Sequence, residues 1–238
     1  MAKTRFSRLL VLILTAILLV AVFAFGLVAC NNNNNENNTP PQNIAFTDKE
    51  AFNLSADGKI LKGLTPEYKN AVSVSLPYNV EHIVAGAFDD CPNLASISLP
   101  SNLKSIGEGA FNNTAWYNNQ PDGLLYIEKW LIGYKGDMPE NSSIVINEET
   151  RGIADSAFYN QENLTEITIP DDICYIGESV FSACDNLTSA SAPSHSLAYL
   201  PKSSIKNVTV TSGSELSDLA FHYYPALETV SLPDGMFS

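Results

Sequence analysis

Little in this chain of 238 residues has the type and spacing that catalysis requires. The three histidines, His82, His195 and His222, fall at unrelated places, and no serine has an evident base in its own register. Neither a G-x-S-x-G elbow nor an H-E-x-x-H helix occurs, so the usual signs of an activated nucleophile or a zinc hydrolase are missing. Asp89-Asp90 and Asp171-Asp172 bring carboxylates together without spelling a calcium loop, and no Cys and His spacing suits zinc. The reading is a non-enzyme with no metal or cofactor. Binding is better represented. Trp116, Tyr117, Tyr126, Trp130 and Tyr134 gather within residues 112–143, and rings of this kind anchor interfaces when exposed. They are the candidate ligand-binding residues, although the same rings could equally be packing that repairs an interrupted core.

What positions them is a repeat. Phe88, Phe111, Phe158 and Phe181 each follow a small or β-branched residue, with spacings of 23, 47 and 23 residues. A fixed period of this size predicts a solenoid, in which no unit can bury its own apolar face. Leu94, Ile97 and Leu99, then Leu164, Ile167 and Ile169, then Leu187, Ala190 and Ala192 mark short strands closed by Pro100, Pro170 and Pro193. Further strands are expected at Val72–Leu76, Ile144–Ile146, Val208–Val210 and Leu227–Leu232, which makes about seven coils. Residues 112–143 replace one coil, and Leu124–Ile127 and Trp130–Tyr134 read as a hairpin around Glu128-Lys129. Phe52–Leu54 and Ile60-Leu61, flanking a turn at Asp57-Gly58, read as an N-terminal capping hairpin.

Between the inward apolar positions, strand residues face outward and stack in two lanes. One runs through Ser73, Ser96, Glu166 and Ser189, the other through Ser75, Ser98, Thr168 and Ser191. This nearly uncharged, hydroxyl-lined ladder is a second candidate for the binding surface. Ser and Thr are also ordinary solvent-tolerant strand residues, so the lanes carry a purely structural reading as well.

The N-terminus supplies the one reactive group with a recognisable setting. Lys3, Arg5 and Arg8 precede an apolar run from Leu9 to Val28, and Leu27-Val28-Ala29 leads into Cys30. This is similar to a bacterial lipoprotein signal peptide: cleavage before Cys30 would free its amino group, and the thiol would take a diacylglycerol. Such a resemblance implies export and lipidation at Cys30, with several buried acyl chains holding the protein far more firmly than one myristoyl chain. The Asn-rich stretch that follows cannot offset the entropy of ordering it, so residues 30–45 read as a disordered tether. The expected domains are a signal peptide at 1–29, this tether, a capping hairpin at 46–70 and a repeat array at 71–238.

Without residues 1–29 the chain carries 10 basic against 26 acidic residues, a net charge of −16. That field disfavours nucleic acid and suits neutral or basic partners. Cys91 and Cys184 share one repeat position four periods apart, too far for a disulfide at about 5 Å per coil. Both read as small core hydrophobes, whereas Cys174 reads as exposed.

Leu94 to Phe111 and Leu164 to Phe181 fit the pattern L-x-x-I-x-[LI]-P-x-x-[LIV]-x-x-I-G-x-x-A-F at nearly every fixed position. On these residues the chain resembles the BspA-type leucine-rich repeat family of surface proteins, over roughly residues 60–233. The resemblance implies a curved right-handed leucine-rich repeat solenoid with an irregular convex side. It also implies a lipid-anchored cell-surface module that adheres to an extracellular protein or glycan. No catalytic residues come with it. Because no polar cap follows Pro233, self-association through the C-terminal end is a further expectation.

Overall fold

The structure is a computed structural model that describes residues 42–217 and 220–236. The proposed signal peptide, Cys30 and most of the tether therefore lie outside the described residues. Sixteen short strands are described: β1 (Asn43–Ile44), β2 (Phe52–Leu54), β3 (Ile60–Leu64), β4 (Ser73–Ser75), β5 (His82–Ile83), β6 (Ser96–Ser98), β7 (Ser105–Ile106), β8 (Gly123–Ile127), β9 (Trp130–Lys135), β10 (Ser142–Val145), β11 (Gly152–Ile153), β12 (Leu164–Thr168), β13 (Tyr175–Ile176), β14 (Ser189–Ala192), β15 (Asn207–Val210) and β16 (Thr229–Ser231). The single short helix named below is α1 (Ala115–Asn118).

They form a β-solenoid of about seven turns with two parallel ladders. The first ladder has a three-stranded part, β1-β4-β6, and a five-stranded part, β10-β12-β14-β15-β16. The second has the orders β2-β3-β5-β7 and β13-β11-β9-β8, in which the two-residue strands β5, β7, β11 and β13 pair in parallel at the next corner of each coil and the longer pairs β2-β3 and β8-β9 are antiparallel hairpins. The two-residue strands are too short to show alternation, and in the sequence they read only as apolar anchors such as Ile106. Two boundaries differ from expectation. Residues 43–44, assigned to the tether, form β1 and pair with Ser73 and Val74, because Ile44 finds a buried place in the core. The strand expected at 144–146 starts earlier, at Ser142, where its pairing with β12 is bulged.

The parallel ladders put equivalent residues of successive coils in contact. Phe88 stacks on Phe111 at 5.4 Å, and Phe158 on Phe181 at 5.6 Å, with their rings nearly parallel. Beside each stack the second ladder crosses a tight corner. At Gly107 an added Cβ would collide with the backbone of Ala85, so only glycine allows the two coils to approach. Cys91 and Cys184 are buried as small core residues, and burial pushes the Cys91 thiol up to about 11. Cys174 is exposed.

Among the described residues three buried positions break the apolar rule: Thr114 and Ser196 donate their hydroxyls to the carbonyls of Phe111 and Pro193, and Thr150 does not find such a partner. Val80, Leu103 and Ile173 fill the corner after successive coils, and Thr150 occupies the same place at 1% exposure. Its hydroxyl has no partner among the described residues. A buried, unpaired hydroxyl costs about 1–3 kcal/mol, and an isosteric apolar group recovers part of that. Thr150→Val is expected to stabilise the protein by about 1 kcal/mol in denaturant unfolding. Phe158→Ala, by contrast, should cost about 3–5 kcal/mol.

Candidate binding surface

The interrupted coil decides which candidate residues remain free. After β7 the chain forms α1, and Thr114 caps it by accepting a hydrogen bond from Tyr117 N at 3.1 Å. It then runs out and back as the antiparallel pair β8-β9, with the turn residue Glu128 at φ 51°. Lys135 ties the two parts together by donating to the carbonyls of Tyr117, Asn118 and Gln120 at 3.0, 3.1 and 2.7 Å.

This hairpin is a wedge in the solenoid. Its β9 strand pairs in parallel with β11, which joins it to the second ladder, while among the described residues no strand links β6 to β10 in the first. The hairpin's side chains cover the gap. Glu128 Oε1 accepts from the Leu99 N–H at 3.1 Å and from Ser98 Oγ at 3.2 Å, just beyond β6. Tyr126 Oη accepts from the Asn147 N–H at 3.2 Å, just beyond β10. Ile127 and Trp130 close the core that precedes the gap, and Leu131 opens the one that follows.

The five candidate aromatics are therefore committed to packing in differing degrees. Trp130 is 6% exposed. Its ring leans across Gly152, in register with it on β11, and stacks on Tyr175 at 6.0 Å and 7°. An added Cβ on Gly152 would lie 2.5 Å from Cζ3 of that ring. Trp116 is partly buried and meets Phe111 edge-on at 5.8 Å. Tyr126 and Tyr134 pack against the second core, and Tyr117 lies beneath the Lys135 ammonium at 5.2 Å.

The lanes of the first ladder are in register through β10, β12, β14, β15 and β16. Their side chains divide by lane. In the first, Ser73 donates to Asn43 at 2.8 Å, Ser143 to Glu166 at 3.0 Å, Asn207 to Ser189 at 3.3 Å and Thr229 to Asn207 at 2.6 Å. In the second, Thr168, Ser191, Thr209 and Ser231 stack one strand apart, and among the described residues their hydroxyls have no partner. Ser75 is likewise free, and Ser98 is held by Glu128. Ser96 is exposed at the edge of the three-stranded part.

One constellation escaped the sequence reading. His82 and Ser105 are one period apart and pair across β5 and β7, with Nδ1 2.8 Å from Oγ. The 23-residue spacing was the available signal. Among the described residues nothing holds the far ring nitrogen, so the third group of a triad is missing. Beside it, Lys104 and Lys59 contact Glu81 at 2.6 and 2.8 Å, and these hydrogen bonds pull its carboxyl down to about 2.

The family model for the BspA type leucine rich repeat region matches residues 67–130 and 137–238, in six copies. Solved structures similar to this chain include the pneumococcal vaccine antigen PcpA, at 16% identity and a TM-score of 0.37, covering 68% of this chain and 50% of that one. The leucine-rich repeat protein of T. pallidum is 17% identical with a TM-score of 0.28, covering 78% and 84%. A leucine rich cell surface protein from Faecalibacterium prausnitzii A2-165 is 17% identical with a TM-score of 0.31, covering 70% and 61%. The chain thus spans about half the length of PcpA as solved. No curated protein matches it.

The packing of Trp130 makes a prediction about stability. Gly152→Ala should destabilise the fold by about 1–3 kcal/mol through overpacking, and Trp130→Ala by about 3–5 kcal/mol through the cavity it leaves. Thermal unfolding followed by tryptophan fluorescence and circular dichroism checks both.

Proposed function

The chain belongs to the BspA type leucine-rich repeat family, and on that premise we propose that it is a non-catalytic binding module, displayed at the cell surface and holding an extracellular protein or glycan. The observation that carries this reading is the second lane of the five-stranded part, where four hydroxyls stand in register with no partner among the described residues. An ordered row of unspent donors and acceptors can meet a ligand's polar groups with little loss of side-chain entropy, since β-branched and short side chains have few rotamers to lose. The aromatics of residues 112–143 are the weaker choice for the site, because much of their surface is already used in closing the core.

Saturable binding of the full chain to immobilised matrix proteins, mucins or glycans is expected. Replacing the lane in one variant, Thr168→Val, Ser191→Ala and Thr209→Val, should weaken it by about tenfold or more, since three lost hydrogen bonds at a net of about 0.5–1.5 kcal/mol each come to at least about 1.5 kcal/mol. Absence of saturable binding, or binding untouched in a folded lane variant, would overturn the reading. Binding that instead fell on Trp116→Ala would move the site to the insertion.

Display requires an anchor, and the Leu27-Val28-Ala29-Cys30 sequence supports one at Cys30. Two or more acyl chains at about 0.8 kcal/mol per buried CH₂ hold a protein on a bilayer without a spanning helix. In a bacterial host, labelled palmitate should enter the wild-type chain and not Cys30→Ser, which should also leave the membrane fraction. Membrane retention of an unlabelled chain would count against lipidation.

A further inference from the structure

At its head the unspent lane changes character. In register with Thr168 the lane carries Val145, 65% exposed, where other strands carry a hydroxyl. This side chain lines an open groove of about 530 Å³ together with Pro170, Thr168 and Thr211. Three carboxylates, Glu148, Asp171 and Asp172, line the same groove. Their existing contacts leave the groove negative. Asp171 Oδ1 accepts from Thr211 at 2.5 Å and Ser212 at 2.8 Å, neither of which neutralises it. Asp172 meets Arg151 at 3.3 Å, with both side chains exposed, and Glu148 has no partner among the described residues.

A groove lined by both apolar side chains and carboxylates is complementary to one type of side chain: an aliphatic stem ending in a cation, as in lysine or arginine. We propose that this groove docks a basic side chain of an extended peptide in the partner protein, with the neighbouring peptide groups lying along the hydroxyls of Thr168, Ser191 and Thr209. The inference rests on the binding-module reading and commits it to a protein ligand with basic residues. Charge complementarity favours it. A neutral glycan can donate hydroxyls to the carboxylates but gains no attraction between net charges, and an acidic partner is repelled both by them and by a chain of net −16 without its leader. Burial of the stem on Val145 adds an apolar contribution that salt does not screen, whereas the carboxylates contribute an attraction that salt does screen.

The test uses the full chain and a capped peptide of alternating lysine and serine, with the alternating glutamate and serine peptide and a neutral β-glucan oligosaccharide as comparisons. Binding is read by fluorescence anisotropy at low and physiological ionic strength, where the Debye lengths are about 30 Å and about 8 Å. The lysine peptide should bind saturably, the other two should not, and added salt should weaken it without abolishing it. Glu148→Gln with Val145→Ser should weaken it about five- to tenfold, while Glu67→Gln, a remote exposed carboxylate, should leave it unchanged. Equal losses at Glu148 and Glu67 would mean diffuse attraction to an acidic protein and would overturn the proposal. So would preferential binding of the glucan. If the chain captures a matrix protein whose binding ignores the groove substitutions but follows the lane variant, the groove fails and the binding-module reading stands. Failure of every ligand brings down both.

Discussion

Everything in this molecule depends on in-register parallel stacking of coils that cannot fold alone. A single coil offers one strand, one corner and one phenylalanine, and its apolar side is covered only when the next coil arrives one period later. Phe88 on Phe111 and Phe158 on Phe181 are the visible consequence, each pair close to parallel. The same requirement dictates the corners. Gly107 and Gly177 sit where a Cβ would strike the backbone of the preceding coil, so the period is fixed by close approach as well as by burial.

The constraint is most informative where it is broken. Residues 112–141 do not add a strand to the first ladder, and that leaves β6 and β10 as edges inside the array. Amides left unpaired where the hairpin covers these edges would be costly. The hairpin meets that cost with two side chains, Glu128 on the Leu99 N–H and Tyr126 on the Asn147 N–H, while Ile127, Trp130 and Leu131 join the cores on either side. An insertion that looks like a projecting binding element is, in this arrangement, largely a repair of the solenoid.

The surface left for recognition follows from the same geometry. Parallel register brings identical positions together at about 4.8 Å, so polar side chains on one lane either bond one another or stand free in a row. Asn43, Glu166 and Asn207 have side chains long enough to reach across and tie up the first lane. The short hydroxyls of the second lane do not reach one another and stay available. Where the lane meets Val145 and the carboxylates near Pro170, the row of hydroxyls gives way to an apolar side chain among acidic ones.

The sequence by itself determined the solenoid. Phenylalanines and apolar triplets recurring at 23 residues are local patterns, and burial admits few other ways to use them. It determined the strands of the first ladder to within a residue or two, the hairpin at Glu128-Lys129, and the placing of Cys91 and Cys184 in the core. Strand β1 was lost in its Asn-rich surroundings, because two residues leave no periodicity to read. Tertiary structure alone decided that Trp130 lies over Gly152 against Tyr175 instead of facing solvent, that His82 meets Ser105, and that one hydroxyl lane is spent and its neighbour free. Each of these depends on which side chains face one another across coils and how far they reach. Spacing along the chain sets the register of such contacts, but the distance between facing atoms is set only once the coils are packed.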